Sequence, residues 1–113
     1  MERFEELVAE ALDELPAWVH ERLDNVDVLI EDRPPGDQPR NLLGLYEGIP
    51  LTERGDGYFG VLPDRITLFK RNIEREAHGS EARLRRVVGE TVVHEVAHFF
   101  GISDDRLDEL GRY

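Results

Sequence analysis

The sequence contains no cysteine in its 113 residues and has few positive charges. The absence of cysteine excludes disulfide scaffolds, thiolate zinc clusters, iron–sulfur sites and cysteine nucleophiles. Any metal must therefore be held by histidine, carboxylate, carbonyl or water. Lysine and arginine number 14 against 25 acidic residues, which gives a net charge of −11. This balance argues against nucleic-acid binding, which depends on basic residues displacing counterions.

Long hydrophobic runs are also missing. No stretch approaches 18 apolar residues, and the charged segment at residues 1–6 does not resemble a secretory signal. We therefore expect no membrane span and a cytoplasmic location. Forty percent of the residues are hydrophobic, which suffices for a core, and the length is typical of one domain spanning residues 1–113.

The residue pattern predicts an α+β fold. We expect a small, mostly antiparallel or mixed sheet of about three strands, packed with N-terminal helices and one long buried helix. Apolar spacing and turn residues predict helices at 4–15, 16–23, 81–100 and 106–110, and strands at 26–31, 42–46 and 66–73. Trp18 and Val19 are predicted to be packed in the second helix, and Ser80 is the predicted N-cap of the long one.

The long predicted helix, EARLRRVVGETVVHEVAHFF, carries the chemistry of the chain. Valine and phenylalanine cover more than half of its circumference, whereas His94, Glu95 and His98 share the remaining sector with Thr91, a predicted packing residue. Residues four apart lie one turn apart on the same face, so both imidazoles can reach one cation. Glu95 points in an adjacent direction, where it can hydrogen-bond a metal-bound water and act as a general base.

The motif continues beyond the second histidine as H-E-x-x-H-x-x-G-x-x-D. Gly101 is a typical residue for ending a helix, and the chain can then turn back and bring Asp104 to the metal. Two histidines, one aspartate and a water form the open arrangement of a catalytic zinc site. Asp105 remains an alternative third ligand, because aspartate is also a favoured N-cap and a short helix follows.

The motif at residues 94–104 resembles that of the zincin metallopeptidases, and more closely the small bacterial minimal zincins. This resemblance implies Zn²⁺ bound by His94, His98 and Asp104, with Glu95 as general base and acid. Metzincins also carry a methionine turn after the third ligand, for which we expect no room here, since nine residues follow Asp104. The tyrosine of that turn is absent too. An oxyanion helper must then come from elsewhere, and the candidates are Tyr46, Tyr58, His78, Tyr113 or an arginine.

The predicted function is zinc-dependent hydrolysis of a peptide bond in a peptide or protein substrate. One alternative is a zinc-binding protein-interaction module with little or no catalytic activity, and another is a structural domain with an accidental motif. The predicted strand at 66–73 also has two interpretations. It pairs with an extended substrate, or Lys70 and Arg71 protect an exposed edge from aggregation.

Overall fold

The computed structural model describes residues 2–58 and 61–109, and it shows an α+β arrangement in agreement with the prediction. No helix within these two ranges is both long and apolar enough to cross a bilayer. The elements in chain order are α1 Glu2–Asp13, α2 Ala17–Arg22, β1 Val26–Glu31, β2 Gly44–Glu47, a short 3-10 helix Leu51–Glu53, β3 Asp64–Phe69, α3 Lys70–Ala77, α4 Glu81–Phe99 and α5 Asp104–Glu109.

The sheet is mixed and has three strands in the order β1-β3-β2. β1 runs parallel to β3, with Val26 opposite Asp64, and β2 runs antiparallel to β3, with Gly44 opposite Leu68. A parallel pair needs a long connection between its strands. Here that connection contains β2. In this strand order β1 and β2 are the two edge strands.

The third predicted strand is wrong in its second half. β3 ends at Phe69, and α3 begins at the next residue. Phe69, Ile73 and Ala77 are all buried, and their spacing of four residues is that of a helix face. The Asn72 side chain also donates hydrogen bonds to the carbonyls of Arg40 and Leu42, both at 2.8 Å, which fixes α3 against the chain entering β2.

Both interpretations of residues 66–73 as an edge strand are wrong as well. β3 lies in the centre of the sheet, with β1 on one side and β2 on the other. Lys70 and Arg71 belong to α3, where Lys70 pairs with Glu74 one turn later at 3.0 Å. Both sides of β3 are therefore occupied by neighbouring strands.

The long helix α4 contacts α1, α3, β2 and β3, so it occupies the centre of the molecule. Ser80 caps it as predicted, accepting a hydrogen bond from the Arg83 backbone N–H at 3.2 Å. Its carboxyl end turns at Gly101, whose φ of +87° suits glycine, and the Ile102 N–H bonds the Ala97 carbonyl at 3.0 Å. This turn redirects the chain toward the start of α5.

Two apolar side chains are more exposed than predicted. Val93 on α4 is 49% exposed, because that side of the helix borders an open groove. Trp18 is 54% exposed although its neighbour Val19 is buried, and its ring rests on Phe100 with 5.7 Å between ring centroids. The buried core is formed by α1, α4 and the sheet, together with Val19 of α2 and Ile73 of α3.

Candidate metal centre

Three side chains converge at the carboxyl end of α4. His94 and His98 lie one turn apart, and their Nε2 atoms are 3.1 Å from each other. The Oδ1 atom of Asp104, the first residue of α5, lies 3.0 Å from the Nε2 atom of His94 and 3.0 Å from that of His98. The turn at Gly101 thus brings together the three residues that the motif singled out.

These three atoms form a nearly equilateral triangle of a size that suits a zinc ion. Three donor atoms at 3.0–3.1 Å from one another are close enough to bind one zinc ion together, since zinc bonds to histidine nitrogen and carboxylate oxygen are roughly 2.0–2.2 Å long. Two imidazoles and a carboxylate are also the donor types that zinc accepts, and the side facing the cleft leaves a fourth position open.

Asp104, not Asp105, has its carboxylate against the histidines. The capping role that made Asp104 ambiguous is performed by Ser103, whose Oγ accepts a hydrogen bond from the Arg106 N–H at 3.2 Å. Asp105 is exposed in the first turn of α5. Glu95 is the other carboxylate near the histidines, with its nearest ligand atom within 4.8 Å of theirs, but Asp104 approaches much more closely.

The orientation of His98 is fixed by the same turn. Its Nδ1 atom lies 3.0 Å from the carbonyl oxygen of Ile102. A carbonyl can only accept, so Nδ1 carries the hydrogen and donates it, which leaves the Nε2 lone pair for a metal. Contacts of this kind set the tautomer and the ring orientation of metal-binding histidines.

Glu95 lies beneath the two histidines and is 5% exposed. Burial raises the pKa of its carboxyl to about 7, and the negative charge of Asp104 also raises it, while a hydrogen bond from the Tyr46 backbone opposes the rise. β2 passes very close to this carboxylate. A Cβ atom at Gly44 would lie 3.3 Å from Glu95 Oε2, so glycine lets the strand approach.

The sequence profile of the zincin-like metallopeptidase family matches residues 23–112. The chain belongs to this family. The matched region contains the whole sheet, α4 and the start of α5, and so includes every side chain of the metal centre. Among curated proteins, none matches the sequence. Membership of the zincin-like family identifies the chain as a metallopeptidase in kind and implies a divalent metal.

The hydroxyl groups of two of the candidate oxyanion helpers already have hydrogen-bond partners in the structure. The Tyr46 hydroxyl donates to the carboxylate of Asp64, and the pKa of Tyr46 is raised by burial and by this bond. The Tyr58 hydroxyl accepts a hydrogen bond from the Asn25 amide at 2.7 Å. His78 caps the far end of α3 and is exposed. Tyr113 lies outside the described residues.

The zincin-like centre opens onto two connected cavities. The smaller, of about 370 Å³, lies directly over the histidines and Asp104 and is bordered by Pro50 and Glu53. The larger groove, of about 970 Å³, extends from His94 and Glu95 along α4, between the end of α1 and the chain entering β2. Gly89 and the exposed side chain of Val93 form part of its wall.

Two features of the site were not predicted from the sequence. Gly44 carries a recognisable signal, because a glycine within a strand often marks a close approach of another segment. The hydrogen bond from the Tyr46 backbone to Glu95 depends on the register of β2 and has no such signal.

Proposed function

We propose that the protein is a zinc-dependent peptidase that hydrolyses peptide bonds, with His94, His98 and Asp104 as zinc ligands and Glu95 as the group that moves the proton. The observation that carries this proposal is the triangle of two Nε2 atoms and one Oδ1 atom, each pair about 3.0–3.1 Å apart, beside a buried carboxylate. Family membership supports the same reaction class.

The proposed mechanism assigns the proton transfers to Glu95. Zinc at the centre would lower the pKa of a water molecule and polarise the substrate carbonyl. With its pKa raised to about 7, Glu95 can take a proton from the attacking water near neutral pH and then give it to the leaving amine. The Tyr46 N–H and the close passage of Gly44 hold the carboxylate in place for both transfers.

The outer edge of β2 is the proposed pairing site for an extended peptide. The Leu43 carbonyl accepts a hydrogen bond from the Phe69 N–H, and alternate residues of an antiparallel strand face its partner. The backbone groups of Gly44 and Tyr46 therefore point away from β3. Since the Tyr46 N–H bonds Glu95, the groups of Gly44 and the Tyr46 carbonyl are those that would pair with a peptide. A substrate strand added there would lie across the metal centre and reach the groove along α4.

Zinc binding and peptide cleavage measured together test this proposal. Purified protein should bind one Zn²⁺ per chain and gain thermal stability with it, since a ligand that binds only the folded state stabilises that state. The zinc-loaded protein should cleave members of a mixed peptide library, and a chelator should abolish the cleavage. Absence of zinc binding would refute the proposal.

A zinc-binding interaction module is the second candidate. The engagement of the Tyr46 and Tyr58 hydroxyls with Asp64 and Asn25 favours it, because each hydroxyl already has a partner outside the three proposed ligands. The same experiment separates the two functions. Stoichiometric zinc without cleavage of any peptide would support the module over the enzyme.

A further inference from the structure

A buried ion pair joins Arg54 to Asp64, the first residue of β3. Arg54 Nη2 donates to Asp64 Oδ2 at 2.7 Å, and the two side chains are 6% and 1% exposed. A buried pair is stable only when its remaining donors and acceptors are also satisfied. Here Arg54 also donates to the carbonyls of Ile49 at 2.9 Å and Asp24 at 2.8 Å. Asp64 in turn accepts hydrogen bonds from the Ile49 N–H and the Tyr46 hydroxyl.

These bonds fix residues 49–54, which form one wall of the metal centre. Ile49 is held at both its N–H and its carbonyl, and Arg54 anchors the other end of the segment. The Arg54 guanidinium also lies 4.8 Å from the ring centroid of Phe99, the residue after His98. The wall is thus attached to the sheet through Asp64 and to α4 through Phe99.

The segment at residues 49–54 contacts the turn that leads to Asp104. The Thr52 side chain occupies the space that a Cβ atom at Gly101 would need, with its Cγ2 only 3.0 Å from that position. Gly101 and Ile102 complete the turn through hydrogen bonds to the His98 and Ala97 carbonyls. The same turn supplies the carbonyl that orients His98.

We propose that the Arg54–Asp64 pair positions the third metal ligand, by holding Thr52 against Gly101 and so fixing the turn that carries Asp104. The inference rests on the proposed zinc site and assigns Arg54 and Thr52 as positioning residues.

Zinc affinity in folded variants tests the proposal. Thr52→Ala removes the contact with Gly101 from an exposed residue, and Arg54→Met removes the ion pair. Each should weaken zinc binding about 10- to 100-fold in competition with a chromophoric chelator, the range typical of groups that orient metal ligands. Val8→Ala is the control, because it destabilises the core beside α1 without touching residues 49–54. Its zinc affinity should stay within about twofold of the wild type. An equal loss in Val8→Ala would overturn the proposal.

A double-mutant cycle shows whether the effect passes through Asp104. In an Asp104→Ala background, Thr52→Ala should cause a much smaller loss of zinc affinity than in the wild type, because the ligand that it positions is gone and only the effect of the turn on His98 remains. An undiminished loss would overturn the proposed route. If Arg54→Met does not fold, Thr52→Ala alone gives the result.

Amide hydrogen exchange in the metal-free protein gives a readout that does not depend on zinc. Thr52→Ala should accelerate exchange at Gly101 and Ile102 by about tenfold or more, since their hydrogen bonds close the turn. Exchange there should be unchanged in Val8→Ala. If the wild type binds no zinc, the proposed function fails, and this comparison still decides the positioning: unchanged exchange at both amides in Thr52→Ala would refute it.

Discussion

Replacing Gly44 with alanine should destabilise the protein, because β2 crosses α4 with no room for a methyl group. The added Cβ would lie 2.8 Å from Thr91 Cγ2 and 3.1 Å from Glu95 Cγ. Thr91 cannot simply rotate away, since it is buried and its hydroxyl bonds the Val87 carbonyl at 2.7 Å. Overpacking of this kind costs about 1–3 kcal/mol. At roughly 4 °C for each kcal/mol, the melting temperature should fall by about 4–12 °C.

Thermal and urea unfolding of a small set of variants test this reasoning. Thr91→Ser removes the methyl group that the new Cβ meets, so it should recover about 1 kcal/mol or more when combined with Gly44→Ala. Gly89→Ala is a matched control that should raise the stability of the protein instead of lowering it. Its Cβ would meet nothing within 4 Å, and alanine is about 1 kcal/mol better than glycine inside a helix. The close approach would be refuted as the cause of the instability if Gly44→Ala had wild-type stability. It would also be refuted if adding Thr91→Ser to Gly44→Ala recovered no stability.

Four further substitutions test the metal centre and the groove. Asp104→Ala should weaken zinc binding by about tenfold or more in chelator competition, whereas Asp105→Ala should stay within about twofold; equal losses would show that the wrong carboxylate has been assigned. In the metal-free protein, Glu95 binds its proton more tightly when folded, since its pKa is raised from 4.5 to about 7. The stability that this proton contributes is present below pH 4.5 and is lost as the pH rises to about 7, by up to about 3 kcal/mol. Urea titrations across this range should show the decline in the wild type but a smaller one in Glu95→Gln. Gly89→Leu should fill the groove and raise the melting temperature while reducing peptide cleavage, and unchanged cleavage would exclude the groove as a substrate site.

The arrangement of α4 could be predicted because several local signals agree there. Apolar residues recur at helical spacing, Ser80 caps the start and Gly101 ends the helix, and each acts within a few residues of its own position. The spacing of His94, His98 and Asp104 around that glycine then limits where the side chains can lie. The structure places their ligand atoms about 3 Å apart.

The boundary between β3 and α3 could not be predicted, because a short apolar run fits a strand or a buried helix equally well. The position of this boundary depends on tertiary contacts, above all the hydrogen bonds from the Asn72 side chain to the carbonyls of Arg40 and Leu42. The Arg54–Asp64 pair was missed for a related reason. Its two residues are ten apart in an acidic chain, and only the fold shows that they are buried together.

Peptide cleavage by zinc-loaded Glu95→Gln is the most direct test of the central claim. Glutamine preserves the size of the side chain and leaves the three proposed ligands intact, but it cannot accept the proton. The variant should bind zinc about as tightly as the wild type and cleave a peptide library at least about 100-fold more slowly, the usual contribution of a general base. Cleavage at the wild-type rate with zinc bound would contradict the account.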